Sequence, residues 1–401
     1  MIPNRITLSF PMKIAFAFTW LFNPNVGGTE RVTDILTREL SKRGHTIYYI
    51  YSVKRDTDQS FDNPAEETFY IPEDVLLSDN GVQIFQKYIR AKGIDVVINQ
   101  GGVMGTCRNF VNVPAGCKSV TTIHFDPRYG LDSLFMEQMR LRNRLALEKL
   151  KRIYRFFAFP IRRRQLKRYL NDLYTYWGTH CEKVVLLSDK FIPAFRSIAP
   201  GFPDEKLSAI PNPISFPVNK DCSEKRDIIL WVGRMDFRQK RPDLMVEIWG
   251  KAHKMIPGWE LIMLGEGPAL DSVKDKAKGL PRIKFPGAKN SLPYYRISKI
   301  LSSSSSSSSS SEGWGMVLTE AASQGTVPIA FDSYASVRDI IGTEAQLVAP
   351  YDTLEYAKKI HCLATNETLL LDIREKGYET ANRYSIESVV NRWEELLREI
   401  I

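Results

Sequence analysis

A recurring order of elements constrains the fold of this chain more than any other feature: an apolar strand, a glycine turn, a helix and a second strand. Its first copy has a buried strand at 13–18, the pair Gly27 and Gly28, an amphipathic helix reaching Leu40, and a strand at 46–51. That order is typical of a βαβ unit with parallel strands. The glycines follow the carboxyl end of the first strand, where open α/β sheets bind ligands, although a plain tight turn would also use them.

Two more apolar strands continue the first domain. One covers 95–100 and is followed by two glycines; the other covers 118–123 and is followed by His124. A lone histidine is more often structural, but at a strand end its ring would face the ligand crevice. His124 is therefore a candidate for a functional role.

The same order restarts after a Pro- and polar-rich linker at 210–227. A strand at 228–232 leads through a loop containing Arg234 and Lys240 into a helix, and a strand at 260–264 is followed by Gly265 and Gly267. We predict an α/β protein of two Rossmann-like, doubly wound domains facing across a cleft, at 1–214 and 215–385. An amphipathic helix at 386–401 is expected to cross back to the first domain.

Composition excludes several classes of protein. The chain has 401 residues, 43% of them apolar and 25% charged, and no uninterrupted apolar run approaches the 18 residues of a membrane span. Its five cysteines are scattered, which favours free thiols and a cytoplasmic location. We expect residues 1–11 to be a dispensable extension before Met12. The apolar stretch 14–22 lacks a signal-peptide cleavage site.

The net charge of +9 is concentrated in one segment. Residues 140–168 hold twelve Lys or Arg and a single acid, Glu148, interleaved with aromatic residues, and we predict long helices at 133–180 that break at Pro160. A solvated face would explain the charge alone, and a nucleic-acid groove lacks any accompanying motif. An anionic membrane surface explains charge and aromatics together, so we favour peripheral binding to the inner face of the plasma membrane, without nucleic acid.

The stretch Glu312–Glu320 combines two carboxylates with two glycines. We predict a loop that becomes a helix near Met316 and ends at Gly325. Glycines let backbone N–H groups approach a ligand, and a helix N-terminus favours phosphate. Carboxylates accept hydrogen bonds from sugar or ribose hydroxyl groups, although acids near a helix start can equally be solvated.

Four segments together resemble one family, the family 4 glycosyltransferases, most closely those of bacterial polysaccharide and lipopolysaccharide synthesis. They are Gly27–Arg31, Gly233–Arg234 with Lys240, Gly265–Pro268 and Glu312–Glu320, in the family's order and spacing. The resemblance covers nearly the whole chain from Met12. It implies the GT-B fold and transfer of a sugar, with retention, from a nucleotide donor (a UDP-sugar is favoured) to a glycan or lipid-linked hydroxyl.

The resemblance also implies roles for single residues, without a metal or other cofactor. Arg234 and Lys240 would bind the donor diphosphate, Glu312 and His124 the donor sugar, and Glu320 the ribose. The remaining candidates supply backbone: donor and phosphate contacts from Gly313, Gly315, Met316, Val317, Gly265 and Gly267, and an acceptor-side phosphate loop from Gly27 and Gly28. Asp56 and Asp58 could ligate a cation, but no third ligand is nearby, so we expect a solvated loop there.

Two features depart from the family pattern. Asp339, after Tyr334, stands where the family has glycines and a glutamate. Ser302–Ser311 are ten serines where a buried strand should run, and serine is a poor strand former that is costly to bury unpaired. We predict a strand there with weakened packing. A nucleotide-sugar epimerase of the same fold and an inactive sugar- or lipid-binding module are the rival functions.

Overall fold

The computed structural model describes residues 11–24, 27–54, 61–103, 105–131, 134, 146–305 and 312–401. The extension before Pro11 and the Asp56–Asp58 loop lie outside these residues. The chain divides into two compact units. The first contains Met1–Pro127, Arg168–Ser215 and Ile386–Ile401, and the second contains Arg128–Lys167 and Phe216–Ser385. The segment 128–167 thus groups with the second unit rather than with the strands that precede it.

The first unit is built on a parallel seven-stranded sheet in the order β3-β2-β1-β4-β5-β6-β7. Strand β1 pairs on both sides, so six of its eight residues are buried, which explains its continuous apolar sequence. The order in which strands are added reverses between β1 and β4, and at such a point this fold opens a crevice. The strands are β1 Lys13–Trp20, β2 Thr46–Val53, β3 Ala65–Tyr70, β4 Val96–Asn99, β5 Lys118–Ile123, β6 Lys183–Leu186 and β7 Leu207–Ala209.

Helices flank this sheet. Helix α1 begins at Gly28, buries Val32, Leu36 and Leu40 against the sheet, and so confirms the predicted amphipathic helix after the glycine pair. The α-helices are α1 Gly28–Lys42, α2 Glu73–Leu76, α3 Asp79–Lys92, α4 Ala146–His180 and α5 Ile192–Ile198, with 3₁₀ turns at Gly105–Val111, Asp189–Phe191 and Asp204–Lys206. Only the part of α4 from Arg168 onward belongs to the first unit.

The predicted break at Pro160 is wrong, because α4 continues through that residue. Proline removes one helical hydrogen bond and opposes the carbonyl four residues earlier, here that of Phe156. None of the helices in the described part of the chain is long and apolar enough to cross a membrane.

The second unit has a parallel six-stranded sheet in the order β10-β9-β8-β11-β12-β13. The order in which strands are added to this sheet reverses between β8 and β11. The strands are β8 Arg226–Val232, β9 Glu260–Leu264, β10 Ile283–Gly287, β11 Ser298–Ser303, β12 Val327–Phe331 and β13 Leu347–Val348. The α-helices are α6 Pro242–Ala252, α7 Leu270–Lys276, α8 Leu292–Ile297, α9 Met316–Ser323, α10 Val337–Ile340, α11 Thr353–Thr365 and α12 Glu367–Arg383, with a 3₁₀ turn at Glu344–Gln346. Both units confirm the predicted Rossmann-like architecture.

Strand β11 differs from the strand expected over Ser302–Ser311. It begins at Ser298, ends at Ser303, and takes its apolar interior from Ile300 and Leu301. Only the first two serines of the tract are therefore in the strand, and Ser306–Ser311 lie outside the described residues. The buried hydroxyl of Ser302 is paired, because its Oγ lies 3.0 Å from the Tyr356 hydroxyl. Pairing removes the penalty that made a serine strand implausible.

The last helix, α13 Ile386–Ile400, belongs to the first unit and contacts α1. Glu394 on α13 is buried. Its carboxylate accepts a 3.0 Å hydrogen bond from Arg43 Nη1 and lies 3.2 Å from His45 Nε2. Asn391 accepts a second bond from Arg43 Nη1 at 2.6 Å. A buried carboxylate held by two basic side chains fixes the helix against the end of α1.

Candidate functional site

The candidate residues of the second unit gather where β8 and β11 end side by side. β8 and β11 are neighbours in the sheet, and the β8–α6 loop carries Lys240 while the chain after β11 leads to Glu312. In sheets of this order the crevice at the carboxyl ends of such strands receives the ligand. The topology therefore brings together two residues that are 72 positions apart.

Lys240 and Glu312 form a direct ion pair. Lys240 Nζ lies 2.5 Å from Glu312 Oε2, and their side chains are only 19% and 11% exposed. Such burial strengthens the attraction relative to a surface pair. An ammonium group has three N–H donors, so this bond leaves donor capacity for an anionic ligand.

Ser304 holds the backbone beneath this ion pair. Its hydroxyl lies 2.9 Å from the carbonyls of Lys240 and Arg241 and accepts a 2.9 Å bond from Trp231 Nε1. Ser304 and Trp231 are each 1% exposed. Arg241 has a φ of 48°, a left-handed conformation that is uncommon for a residue with a side chain. Ser304 therefore holds the strained backbone at Arg241, which directly follows Lys240.

The glycine loop after Glu312 confirms the predicted transition from loop to helix. Gly315 has a φ of 79° and caps α9, which starts at Met316. A Cβ on Gly315 would lie 2.3 Å from the Tyr334 hydroxyl. Both the positive φ and this contact therefore require glycine at position 315. Gly325 follows the end of α9 with a φ of 68°, as expected of a terminating glycine.

Tyr334 and Ser336 pack against this loop. Ser336 Oγ donates a 2.7 Å bond to the Gly313 carbonyl. The Tyr334 hydroxyl is buried and has no hydrogen-bond partner among the described residues. Burial and the charge of Glu312 raise the pKa of Tyr334 well above its ordinary value, which keeps the hydroxyl protonated. The segment that departs from the family pattern is therefore part of the scaffold of the Glu312 loop.

Glu320 and Arg234 occupy different surroundings. Glu320 is 1% exposed and accepts a 3.0 Å bond from the Tyr295 hydroxyl. Val317 follows Met316 in the first turn of α9. Arg234 has a side chain 65% exposed, 3.7 Å from the Asp236 carboxylate. The structure therefore pairs Lys240 with Glu312. Arg234, six residues before Lys240 in the same loop, has a solvent-exposed side chain.

Gly265 and Gly267 allow two loops to touch. With φ values of 142° and 151°, they place β9's following turn against the β8–α6 loop. A Cβ on Gly265 would lie 1.9 Å from the Gly233 carbonyl oxygen, and one on Gly267 would lie 2.7 Å from the Met235 carbonyl oxygen. Their glycine character thus follows from packing of backbone on backbone.

The first unit has a pocket at the point where its strand order reverses. The pocket has a volume of about 180 Å³ and lies where β1 and β4 end, beside the start of α1. It is lined by Phe18, Thr19, Trp20, Leu21, Phe22, Thr29, Glu30, Gln100 and Gly101. Gly27 and Gly28 immediately precede two of these residues. A Cβ on Gly27 would lie 2.8 Å from a carboxylate oxygen of Glu30.

His124 contacts Gln100, which lines this pocket. Its Nε2 forms a short hydrogen bond with Gln100 Oε1 and lies 3.1 Å from Thr122 Oγ1. Because the amide oxygen can only accept, the proton is on Nε2, and Nδ1 is left as an acceptor. Nδ1 is buried and has no partner among the described residues, although the ring as a whole is partly exposed. Burial lowers the pKa of His124 to about 4, so the imidazole is neutral at pH 7.

Several residues of these sites were not predicted. The sequence indicates no role for Ser304 beyond its place in the serine tract, and none for Trp231, Gln100 or Tyr334. Gln100 has a usable signal, since it is the last residue of the apolar strand predicted at 95–100 and therefore lies at a strand end, as His124 does. Ser304 had none, because its importance depends on contacts with residues more than sixty positions away.

Both halves of the chain match family models. Residues 26–216 match Glycosyltransferase Family 4, and residues 216–380 match Glycosyl transferases group 1. A curated relative, described as an uncharacterised glycosyltransferase of Haemophilus influenzae, is 26% identical over 225 residues, covering 55% of this chain and 62% of that protein. Across three curated relatives, the chain spans 21% to 62% of their lengths.

Solved structures resemble almost the whole chain. The apo form of the lipopolysaccharide outer core galactosyltransferase WaaB has a TM-score of 0.67 and 15% identity, with 97% of this chain and 99% of that chain covered. Anabaena HepE in complex with UDP has a TM-score of 0.69 and 15% identity, with 97% and 100% covered. At such identities the likeness concerns the fold.

Proposed function

Because this chain belongs by both of its domains to glycosyltransferase families and has the GT-B fold, we propose that it transfers a sugar from a nucleoside diphosphate sugar to a hydroxyl group. The observation that carries this proposal is the buried Lys240–Glu312 pair, which lies where the strand order of the second unit reverses between β8 and β11. It places a cation and a hydroxyl-binding carboxylate side by side. A sugar diphosphate offers a partner to each group, since its phosphates attract a cation and its sugar hydroxyls donate to a carboxylate.

The cations serve the leaving group. Negative charge grows on the departing diphosphate in the transition state, and fixed positive charges there lower the barrier. Lys240 keeps donor capacity beyond its bond to Glu312, and the exposed Arg234 can turn toward the same phosphates. We propose that these two side chains take the place of a metal ion, so that chelators leave activity unchanged.

The Glu312 loop and α9 would bind the rest of the donor. Glu312 accepts bonds from sugar hydroxyls, and the backbone from Gly313 through Gly315 to Met316 and Val317 faces the phosphates. Gly265 and Gly267 shape the neighbouring wall by packing on the β8–α6 loop. Glu320 would exchange its present bond to Tyr295 for the ribose hydroxyls when the nucleotide binds.

The proposed reaction retains the configuration of the sugar. The bond between the anomeric carbon and the diphosphate oxygen breaks, and the acceptor oxygen bonds the same carbon from the same face. The departing phosphate oxygen takes the acceptor proton, so no side chain is needed as a nucleophile. His124 would contact the donor sugar as a neutral group, in agreement with its lowered pKa of about 4.

We favour a UDP-sugar as donor, because the HepE structure of the same fold was solved with UDP. A glycan or lipid-linked acceptor of surface polysaccharide or lipopolysaccharide synthesis is in keeping with the described activity of WaaB. Release of nucleoside diphosphate from a panel of UDP-, GDP- and ADP-sugars would identify the base.

Substitution at the ion pair tests the catalytic proposal. Removing one stabilising hydrogen-bonding group typically costs a factor of about 10²–10³ in kcat. We expect that loss for Lys240→Ala, which removes a donor to the phosphates, and for Glu312→Ala, which removes the acceptor of the sugar hydroxyls. Lys251→Ala is the matched control, because Lys251 forms an exposed pair with Glu247 at 2.9 Å. Unchanged diphosphate release in both variants would refute the assignment and favour a binding module.

We further propose that α4 holds the enzyme at the inner face of the plasma membrane, in the cytoplasm. Its described part exposes large apolar side chains, with Phe157 73% and Tyr154 66% exposed, beside the basic residues Arg162, Arg163 and Arg164. Each basic residue near an anionic surface contributes about 1 kcal/mol, and aromatic rings enter the interface. The part of the basic segment at 140–145 lies outside the described residues.

Vesicle co-sedimentation tests this contact. Binding to vesicles containing phosphatidylglycerol should exceed binding to pure phosphatidylcholine, and a triple Ala variant of Arg162, Arg163 and Arg164 should lose it. A charge-matched triple Ala variant of Lys274, Lys276 and Lys278 on and after α7 should retain it. Equal loss in the two variants would show that only net charge matters.

A further inference from the structure

We propose that Tyr334 is a positioning residue for Glu312 within the proposed donor site, on which this inference rests. Lys240 holds the Glu312 carboxylate in the structure. When Lys240 turns to a diphosphate, the Tyr334 hydroxyl takes over the carboxylate as a reserve hydrogen-bond donor. Tyr334 thereby lowers the free-energy cost of releasing Lys240 from its ion pair.

The Glu312 carboxylate has one strong partner. Lys240 Nζ lies 2.5 Å from its Oε2, whereas Ser305 Oγ lies 3.4 Å from the same oxygen, which is long for a hydroxyl donor. Its Oε1 accepts no hydrogen bond from the residues that the structure describes. Glu312 is buried, so withdrawal of Lys240 would leave a buried charge without a strong donor. Such a charge is costly unless another donor replaces the first.

The Tyr334 hydroxyl is a donor with no acceptor. Tyr334 is only 8% exposed, and its hydroxyl oxygen has no hydrogen-bond partner in the described part of the chain. Buried polar groups are normally paired, so an unpaired one points to a state in which it finds a partner. Burial and, after it, the charge of Glu312 raise the pKa of Tyr334 well above its ordinary value. The hydroxyl therefore keeps the proton that it would donate, and the carboxylate lies near enough to act on it.

Two hydrogen bonds fix the backbone around Tyr334 on both sides of the carboxylate. Ser333 Oγ donates a 2.9 Å bond to the carbonyl of Ser305, whose own hydroxyl reaches the carboxylate. Ser336 Oγ donates a 2.7 Å bond to the carbonyl of Gly313, the residue that follows the carboxylate in sequence. All three serines are buried. The tyrosine ring therefore extends from a backbone that is held at two points flanking the carboxylate.

The Tyr334 hydroxyl itself lies against the Glu312 loop. It would stand 2.3 Å from a Cβ on Gly315, three residues after Glu312, so the loop admits the hydroxyl only because this residue is glycine. The loop thus accommodates closely a hydroxyl that it does not bond. In the proposed exchange the Glu312 side chain changes partner while the two serine bonds stay in place.

Thermal melting of the whole chain tests the reserve donor without any ligand. Tyr334→Phe alone should leave the Tm unchanged or higher, because it removes a hydroxyl that has no partner. Lys240→Met removes the present partner of Glu312. In that background Tyr334→Phe should lower the Tm by about 3 °C or more, because a bond to a charged group is then lost.

Tyr356→Phe is the matched control for these melts. The Tyr356 hydroxyl is also buried in the second unit, but it already donates a 2.7 Å bond to the carbonyl of Ile329. Its removal should therefore lower the Tm by the same amount with Lys240 or with Met at position 240.

Calorimetric titration with inorganic pyrophosphate tests the release of Lys240. Tyr334→Phe should weaken pyrophosphate binding about tenfold, because a hydrogen bond to a charged group contributes that much or more. In a Glu312→Gln background no carboxylate has to be taken over, so Tyr334→Phe should have no effect there. A substitution that merely distorted the loop would weaken binding in both backgrounds.

The outcomes separate this inference from the donor site. Weaker pyrophosphate binding in Lys240→Met, with none in Tyr334→Phe, would overturn the role of Tyr334 and leave the donor site standing. Absence of pyrophosphate binding, or binding that Lys240→Met does not change, would overturn both. A Tm effect of Tyr334→Phe that is the same with and without Lys240 would also overturn the role of Tyr334.

Discussion

The contact between Ser304 and Trp231 offers the sharpest test of how the second unit is held together. The serine hydroxyl accepts the Trp231 indole N–H at 2.9 Å and lies 2.9 Å from two carbonyls of the β8–α6 loop. Ser304→Ala leaves the buried indole donor without a partner, which costs about 1–3 kcal/mol. It also removes a net contribution of about 1 kcal/mol from the bond to the loop carbonyls. We therefore expect a loss of about 2–4 kcal/mol in the free energy of unfolding.

A double-mutant cycle isolates the contact. Trp231→Phe removes the donor and part of a ring, so it is destabilising by itself through loss of packing. In the double variant no donor remains to be satisfied, so the two losses should not add, and we expect a coupling energy of about 1–2 kcal/mol.

Urea denaturation followed by circular dichroism measures each corner of the cycle, and Ser304→Thr should recover part of the stability. Ser197→Ala is the control, since Ser197 is exposed and donates to the Ala194 carbonyl 2.7 Å away in the same helix. Coupling below about 0.5 kcal/mol would refute the reasoning, because additivity is the result for residues that do not interact. It would also restore the original expectation that these serines only weaken the sheet.

Three further perturbations have defined outcomes. Gly315→Ala should cost about 2 kcal/mol or more in thermal melts, through its positive φ and the Tyr334 hydroxyl 2.3 Å from the added carbon, and Tyr334→Phe should relieve only part of this. His124 has its pKa lowered from 6.5 to about 4, so its neutral form stabilises the fold above pH 6.5. That stability should decline as pH falls toward 4, by at most about 2 kcal/mol given its partial exposure, whereas His124→Gln should lose the dependence. Glu394→Ala should cost about 3 kcal/mol in urea, because Arg43 and His45 lose a buried partner, whereas Glu395→Ala should not; equal losses would contradict this.

Local sequence signals predicted the elements that depend on local physics. The start of α9 at Met316 and its end before Gly325 followed from helix formers bounded by glycines with positive φ. The buried strand β1 and the helix after Gly28 followed from apolar periodicity. These features depend on residues within one turn or one strand of each other.

Prediction failed where distant contacts decide. Proline normally ends a helix, but α4 continues through Pro160. Serine normally disfavours a buried strand, but the hydroxyls of Ser302 and Ser304 find partners on other elements. The Gln100–His124 contact joins two strand ends 24 residues apart, and pairing of their strands had to be known first.

The position of α13 has a consequence for the order in which the protein matures on the ribosome. The second unit consists of residues that have all been synthesised by Ser385, whereas the first unit lacks the α13 partner of Arg43 and His45 until residues 386–401 emerge. The half that is translated first is thus completed last. During synthesis the end of α1 and its two basic side chains await a carboxylate made some 350 residues later, as the separation of 351 positions between Arg43 and Glu394 records.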